Sequence, residues 1–334
     1  LAALLVGLMA TPARRILIDR WFAAGCAVAA VIALPNFLWQ WHYQFPMWTL
    51  LQNGQNGKNI EVGPLLYLAQ EVLITTAFLA PVWIVGLGWL LASRAFRFLG
   101  IAYVVLIVEM MLFHGKHYYP ADVYPIMIAA GATAIEPWTR GSLVIRSAVL
   151  AYATAFGLAF LPYSLPILPE STFVSYDKVV SSVLHIGRSA LETEHGRDES
   201  ALPGDWADMH GWPEIAAAVK SVYDSLPPEE RARAVVLGDN YGGASAVAFF
   251  TPDVPVISVH NQYWLWGTRG YSGDPLVQIG GTCFHAEHLY KSRTVVTVVS
   301  PPWAIDYERN LPIAICRGIR KPFAQVWAQN QDYI

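Results

Sequence analysis

The 334-residue sequence is poor in charged side chains and in cysteine. Asp, Glu, Lys and Arg make up 14% of it and 54% is hydrophobic, whereas an ordinary soluble domain is about 25% charged. It has no Lys/Arg-rich stripe, which excludes a typical nucleic-acid-binding protein. Three cysteines are too few for a disulfide scaffold. Cys26 lies in an apolar run, whereas Cys283 and Cys316 either pair, if they lie outside the cytoplasm, or stay free.

Several catalytic motifs are also missing. There is no G-x-S-x-G serine and no Walker lysine, so neither a nucleophilic hydroxyl nor ATP chemistry is indicated. The glycine-rich stretch 238–243 ("GDNYGG") indicates a tight turn, with an anion-binding turn as the alternative. The stretch "HAEH" at 285–288 has the wrong spacing for a helical metal pair. We therefore predict no metal site in the protein, and leave open a divalent cation as a cofactor.

The apolar and charged residues are unevenly distributed. Residues 1–162 contain nine basic and six acidic side chains, a balance of +3, whereas residues 163–334 contain thirteen basic and nineteen acidic side chains, a balance of −6. The first part is typical of a membrane segment and the second of a soluble domain. The sequence thus predicts an α-helical polytopic membrane domain over 1–162, followed by a small extracytoplasmic α/β domain over 163–334.

The apolar runs predict the membrane-spanning helices, each of which needs about 20 residues. We expect a remnant helix at 1–10 and then five full spans, at 21–40, 64–92, 98–113, 119–136 and 143–161. The chain begins inside an apolar run without an initiator Met, so we interpret it as the C-terminal portion of a longer protein.

The basic residues between these runs predict an orientation. Seven arginines fall in alternate connections, while the opposite connections contain only Lys58 and Lys116. Cytoplasmic loops are the basic ones. We therefore expect a multi-pass protein of the plasma (inner) membrane whose C-terminal domain is extracytoplasmic.

The C-terminal part shows an alternating pattern of helix and strand. Residues 212–226 have apolar side chains at three- and four-residue steps, as in an amphipathic helix. Short β-branched runs predict strands at 232–238, 254–258, 294–299 and 312–316. This alternation predicts a largely parallel sheet covered by helices.

A polar stretch, "HGKHYYPADVYP" (114–125), interrupts the apolar half of the chain. Its candidate ligand-binding side chains are His114, Lys116, His117, Tyr118 and Tyr119. The alternative is a surface turn in which the lysine snorkels to water and the tyrosines anchor the membrane interface. Glu109 lies two helical turns before Lys116, and an acid in a membrane segment is a functional hypothesis by default. We expect Glu109 and Lys116 to line one polar cavity.

Two aromatic stretches are candidate sugar or headgroup contacts. The first, in segment 41–63, contains Trp41, His42 and Tyr43, with an interfacial helix as the alternative. The second, "HNQYWLWG" (260–267), contains Asn261, Tyr263 and Trp264, with a packing surface as the alternative.

The stretch "HGKHYYPADVYPIMIAAGATAIE" resembles a segment of bacterial membrane glycosyltransferases of the GT-C type, in the dolichyl-phosphate-mannose–protein mannosyltransferase superfamily. The enzymes of this type that it resembles are related to the aminoarabinose transferase. It extends to "LPNFLWQWHYQFP" (34–46), "NYGGASAVAFF" (240–250) and "LPIAICRGIRKPFAQVWAQ" (311–329). Their order over nearly the whole chain argues against chance similarity.

The resemblance implies an inverting transferase that moves a sugar from a polyprenyl-phosphate donor to a lipid, glycan or protein acceptor at the outer face of the bilayer. It places Lys116 near the donor phosphate and a catalytic carboxylate in a loop before Leu1, so that the chain alone is expected to be inactive. Where relatives have a glutamate after "YG", this chain has Gly243. The alternatives are a transporter of lipid-linked sugars and a non-catalytic membrane-anchored glycan-binding protein.

Overall fold

The computed structural model describes residues 1–75, 77–185, 200–284 and 288–333. The chain forms two compact units. The first comprises Leu1–Met47, Gln55–Pro169 and a stretch that begins at Val179, and the second comprises Trp48–Gly54, Glu170–Lys178 and the C-terminal part of the chain.

The first half of the chain is helical. Its α-helices are α1 (Ala2–Met9), α2 (Arg20–His42), α3 (Pro46–Asn53), α4 (Pro64–Ile74), α5 (Ala80–Ala92), α6 (Arg97–Leu112), α7 (Tyr124–Thr139) and α8 (Leu143–Ser164). Two 3₁₀ helices, Pro12–Ile18 and Tyr119–Val123, and a π-helical turn, Gly54–Lys58, connect them.

In the part of the chain that the structure describes, two helices are long and apolar enough to span a membrane. They are α2, with 23 residues, and α8, with 22. Their ends are set by short polar side chains. Asp19 Oδ1 accepts the N–H of Trp21 at 2.7 Å, and Ser142 Oγ accepts that of Ile145 at 3.4 Å. Both residues act as N-caps.

The predicted polytopic membrane domain is wrong, because only two of the five expected spans form helices of spanning length. The run 64–92 divides into α4 and α5, with 11 and 13 residues. The runs 98–113 and 119–136 correspond to α6 and α7, with 16 residues each, and α7 follows the short 3₁₀ helix. Pro81 and Pro125 each lie in the first turn of a helix, where proline is tolerated.

The apolar side chains of α4 to α7 pack on each other. Tyr67, Trp83, Tyr103 and Met127, one from each of these helices, belong to a single buried cluster. Hydropathy measures how apolar a segment is and does not distinguish lipid from protein neighbours. The apolar runs of these four helices therefore predicted membrane spans, although their side chains pack in a protein core.

Helices α5 and α7 meet at two glycines. A Cβ on Gly86 would lie 2.0 Å from the carbonyl oxygen of Met127, and a Cβ on Gly131 would lie 2.0 Å from that of Val82. No other residue type fits at these two positions without moving a helix backbone, since real Cβ contacts are never this short.

The C-terminal half contains the remaining elements. Its helices are α9 (Glu170–Leu184), α10 (Gly204–Ala207), α11 (Trp212–Asp224), α12 (Pro228–Arg231), α13 (Tyr241–Phe250), α14 (Gln262–Leu265) and α15 (Phe323–Gln329), with a 3₁₀ helix at Asp306–Glu308. Its strands are β1 (Val235–Gly238), β2 (Val256–Ser258), β3 (Leu276–Ile279), β4 (Tyr290–Val299) and β5 (Leu311–Ile319).

The five strands form one mixed sheet in the order β2-β1-β3-β5-β4. Strand β1 is parallel to β2 and β3, whereas β5 is antiparallel to β3 and β4. The sequence pattern missed β3 and expected a largely parallel sheet. Alternate residues face opposite sides, as in any strand. Val236 belongs to the cluster that contains the α11 and α13 side chains, while Val235 and Leu237 belong to the cluster that contains the α15 side chains.

A disulfide joins Cys283 to Cys316 on β5. Both residues are buried. The sequence left this pair open. Cys283 lies in the connection between β3 and β4, the two strands that flank β5, and it is 33 residues before Cys316 in the chain.

We expect Gly86→Ala to destabilise the first unit by about 1–3 kcal/mol, the usual cost of overpacking. Gly88→Ala, on the same helix, is the matched control, because a Cβ there would meet no neighbouring element within 4 Å. Alanine also favours helix by about 1 kcal/mol over glycine. Thermal unfolding of the detergent-solubilised chain measures both variants. A Gly86→Ala variant that melts as high as the Gly88→Ala variant would contradict the close packing of α5 on α7.

Candidate functional site

A small polar pocket in the first unit gathers three separate parts of the chain. It is lined by Asn59, Ile60, Val62, Gln70, His114, Gly115, Lys116 and His117. Its volume is about 10 Å³, which is room for roughly one water molecule. A larger ligand would therefore contact these side chains from the mouth of the pocket.

The end of α6 positions the lysine. Phe113 N–H donates to Glu109 O at 2.9 Å, and Gly115 N–H donates to Met110 O at 2.8 Å across His114, whose φ is +51°. A left-handed residue bridged by such a bond is the Schellman helix end, where glycine is usual. This turn ends α6 and is followed directly by Lys116 and His117, which line the pocket.

Aromatic rings surround the lysine. Its Nζ lies 5.8 Å from the ring centroid of Tyr118, within the range of a cation–π interaction. His117 is buried and meets Tyr118 edge-on at 5.7 Å, and Tyr119 meets Tyr118 edge-on at 5.1 Å. Both tyrosines are exposed and neither lines the pocket. Tyr118 thus contacts the lysine from outside the pocket, and Tyr119 contacts Tyr118.

An acidic side chain stands at the rim. Glu61 Oε1 lies 4.0 Å from His114 Nδ1, and both side chains are well exposed, at 74% and 45%. Glu61 falls between two lining residues, Ile60 and Val62. The arrangement places a carboxylate beside an imidazole at the entrance of a pocket that also contains an ammonium group.

A buried carboxyl group lies next to the pocket in sequence. Glu71 follows Gln70 on α4, and both are almost fully buried. The Tyr124 hydroxyl donates to Glu71 Oε2, and it lies 3.3 Å from the Tyr103 hydroxyl. Glu71 thereby links α4, which contains Gln70, to the start of α7, the element that follows the Lys116 segment.

Burial raises the pKa of Glu71 above its ordinary value of 4.5, and the hydrogen bond from Tyr124 offsets part of this effect. Burial also raises the pKa of Tyr67 and of Tyr124, and the neighbouring Glu71 adds to the rise in both. A protonated carboxyl group suits this apolar cluster, because it leaves no bare charge away from water.

The structure separates other predicted site residues from this pocket. Glu109 lies half-buried on α6 and is not among the lining residues. Trp41 and His42 form the last turn of α2, with Tyr43 as its C-cap, and Trp41 is exposed. The edge-on His42–Tyr43 pair is separated by 4.7 Å. This aromatic group is the end of a candidate membrane span.

The predicted contacts in the second unit have packing roles. Trp264 Nε1–H donates to Trp327 O at 3.0 Å, and Trp327 Nε1–H donates to Trp264 O at 3.1 Å. The Tyr263 and Ser245 hydroxyls lie 3.0 Å apart. Asn261 has a φ of +51°, and its N–H donates to Asp332 O at 2.7 Å. These contacts stabilise the turn from β2 to α14 and attach it to the C-terminal residues.

Two further sequence features resolve differently. In the glycine-rich stretch, Asn240 Oδ1 accepts the N–H of Gly243 at 2.8 Å and caps α13, in agreement with a tight turn. Most of "HAEH" lies outside the described residues. Among the residues that are described, no group of three or more His, Cys, Asp or Glu could hold a metal ion.

Sequence reasoning missed Asn59, Gln70 and Glu71. Glu71 carried a usable signal, because it is an acid within an apolar run, the same observation that singled out Glu109. Asn59 and Gln70 carried none, since an amide in a helix or loop is ordinary and only the fold brings these two to His114.

We expect Glu71→Gln and Glu71→Ala to separate the hydrogen bond from the charge. Gln keeps an acceptor for Tyr124, whereas Ala leaves the Tyr124 hydroxyl with only its 3.3 Å contact to the Tyr103 hydroxyl. The loss of such a buried acceptor costs about 1–3 kcal/mol. Because the folded pKa is raised, wild-type stability from this group is complete below pH 4.5 and is lost as the pH rises through the folded pKa.

The melting temperature of Glu71→Gln relative to wild type should therefore be higher at pH 8 than at pH 5, and Glu71→Ala should melt lower at both. Thermal unfolding of the solubilised chain at the two pH values is the measurement. A Gln variant whose difference from wild type does not change with pH would rule out a raised pKa.

Comparison with known proteins assigns no family to the chain. It matches no protein-family model, no curated protein and no solved structure.

Proposed function

We propose that the chain is part of a membrane glycosyltransferase that takes a sugar from a polyprenyl-phosphate donor. The observation that carries this proposal is the pocket. It brings Lys116, His114 and His117 together with the amides of Asn59 and Gln70, and the same lysine is the one that the sequence resemblance places near a lipid phosphate.

The chemistry of these groups suits a phosphate. A lysine ammonium donates charge-assisted hydrogen bonds, which are the strong ones. Imidazole and amide N–H groups add donors at the same point. The half-buried setting of Lys116 reduces screening by water, so its charge acts more strongly on a bound anion than an exposed lysine would.

The proposed reaction is an inverting displacement at the anomeric carbon. The acceptor oxygen forms a bond to that carbon, the bond from carbon to the phosphate oxygen breaks, and the lipid phosphate leaves with the electron pair. A general base removes the acceptor proton, and Lys116 stabilises the charge that develops on the departing phosphate. Within this chain, Glu61 is the carboxylate at the pocket rim to test as the base. The acceptor is a hydroxyl of a lipid, a glycan or a protein.

The proposal also includes a location. Helices α2 and α8 are long and apolar enough to cross a bilayer. The buried Cys283–Cys316 disulfide favours an oxidising compartment for the second unit, because disulfides are rare in the cytoplasm. We therefore propose that the α/β unit lies on the outer side of the plasma (inner) membrane.

The transporter alternative depended on an acid inside a membrane span. Glu109 is on α6, outside the two candidate spans, so this observation no longer favours a transporter.

We expect Lys116→Ala to weaken binding of farnesyl phosphate, a short soluble polyprenyl phosphate, by tenfold or more. Loss of a charge-assisted contact removes about 1.5–3 kcal/mol. Isothermal titration calorimetry of the solubilised chain gives the affinity.

The matched control is Lys178→Ala, which removes an exposed lysine from α9. Farnesol, which lacks the phosphate, should bind both variants and wild type equally weakly. Equal farnesyl phosphate affinity in the Lys116→Ala and Lys178→Ala variants would contradict the proposed contact between Lys116 and the phosphate.

The disulfide gives a test of location in the cell. In membranes denatured with a maleimide present from lysis onward, we expect only Cys26 to be labelled, and Cys283 and Cys316 to react only after reduction. Mass spectrometry of the protein counts the labels. Labelling of all three cysteines without reductant would place the second unit in a reducing compartment.

A further inference from the structure

The beginning of α2 forms a second candidate binding site, distinct from the pocket around Lys116. An open concavity of about 390 Å³ is lined there by Arg15, Ile16, Asp19, Trp21 and Phe22. Ligand sites commonly measure about 300–1,000 Å³. We infer that this concavity binds the headgroup of an anionic phospholipid.

The charge at this position favours an anion. Arg14, Arg15 and Arg20 are all exposed and stand against one acidic residue, Asp19. The Asp19 carboxylate already accepts the N–H of Trp21 at 2.7 Å as the cap of α2, and the positive end of the helix dipole further offsets its charge. Arg15 lines the concavity, and Arg14 and Arg20 lie within five residues of it in the chain. A guanidinium group is therefore available for a phosphate, which arginine binds with a paired set of N–H donors.

The neighbouring side chains favour a lipid over a soluble phosphate. Ile18 is 85% exposed and Trp21 72% exposed, directly beside these arginines. An exposed apolar side next to arginines is typical of a segment that lies in the membrane interface. Arg20 also lies over the Trp21 ring, with Cζ 5.3 Å from the centroid. A tryptophan and an arginine would therefore lie at the same depth in the membrane interface.

The length of α2 supports the same position in the membrane. Its 23 residues extend over about 34 Å, close to the roughly 30 Å of a hydrocarbon core. Its other end carries Trp39, Trp41 and Tyr43. Aromatic residues mark both membrane interfaces. The arginines therefore fall at headgroup level, where acyl chains of the bound lipid would run along the exposed sides of α2.

The orientation follows from the same residues. Arginines concentrate on the cytoplasmic side of membrane proteins, and anionic lipids make that leaflet negative. The site therefore faces the cytoplasmic leaflet. This inference rests on the proposed membrane location of the chain. It does not depend on the proposed sugar transfer, because it involves neither the Lys116 pocket nor a sugar.

The test is native mass spectrometry of the detergent-solubilised chain, titrated with phosphatidylglycerol or phosphatidylcholine of the same acyl chains. We expect wild type to retain phosphatidylglycerol at about tenfold lower concentration than phosphatidylcholine. Arg14→Gln, Arg15→Gln and Arg20→Gln together should abolish this preference, because the loss of one arginine removes up to roughly fivefold in affinity and the loss of all three therefore exceeds the preference of about tenfold.

The matched control removes three exposed cations from the second unit, Lys291→Gln, Arg293→Gln and Arg320→Gln, and should keep the preference. Arg15→Gln alone, with a smaller loss, covers the case in which the triple variant misfolds, which its melting temperature reveals. Equal retention of the two lipids by wild type, or an unchanged preference in the arginine variants, would overturn the inference. Full competition by glycerol phosphate would also overturn it, since the site would then bind a free phosphate.

Discussion

The hydrogen bond between Glu71 and Tyr124 is the contact on which the arrangement of the pocket depends. Glu71 is next to Gln70, which lines the pocket, and Tyr124 begins the helix that follows the Lys116 segment. One buried bond therefore fixes the two sides of the pocket relative to each other. A buried hydrogen bond is strengthened by its low-dielectric surroundings, and this one joins two helices of the unit. The apolar cluster around it buries the carboxyl group and thereby raises its pKa.

The two units use different means to hold their polar groups. In the first unit, side chains of α4 to α7 surround a few tyrosines and one acid. In the second unit, the polar groups of the backbone are paired by the hydrogen bonds of a mixed sheet. Each face of this sheet packs against its own apolar cluster. Glu230 and Arg317 add a paired contact at 2.8 to 3.1 Å. Stability of the second unit therefore depends on register, and that of the first on helix spacing.

The sequence predicted those elements whose signal is local. The unbroken runs at 21–40 and 143–161 correspond to α2 and α8, and the amphipathic pattern at 212–226 corresponds to α11. The run at 64–92 failed, because a polytopic domain and a packed helical core have the same apolar composition. The strand β3 was missed because Gln278 interrupts the apolar run of Leu276–Ile279.

For the candidate site, the stretch around Lys116 was predictable and its surroundings were not. A lysine between histidines stands out in an apolar half-sequence. By contrast, the amides of Asn59 and Gln70 become meaningful only once the turns before α4 and after α6 bring them together. The disulfide is similar, because it follows from where β5 places Cys316.

The left-handed backbone at His114 has a consequence for how this protein can vary. Glycine would adopt that conformation without steric cost, whereas a histidine there is strained by an amount on the order of 1–3 kcal/mol. At position 114 the chain therefore has a strained backbone and an imidazole at the pocket rim, where glycine would give an unstrained backbone and no side chain. Selection for heat resistance alone would favour glycine there, and selection for the pocket would keep histidine. A substitution at this residue that raises thermal stability would therefore remove the imidazole from the pocket.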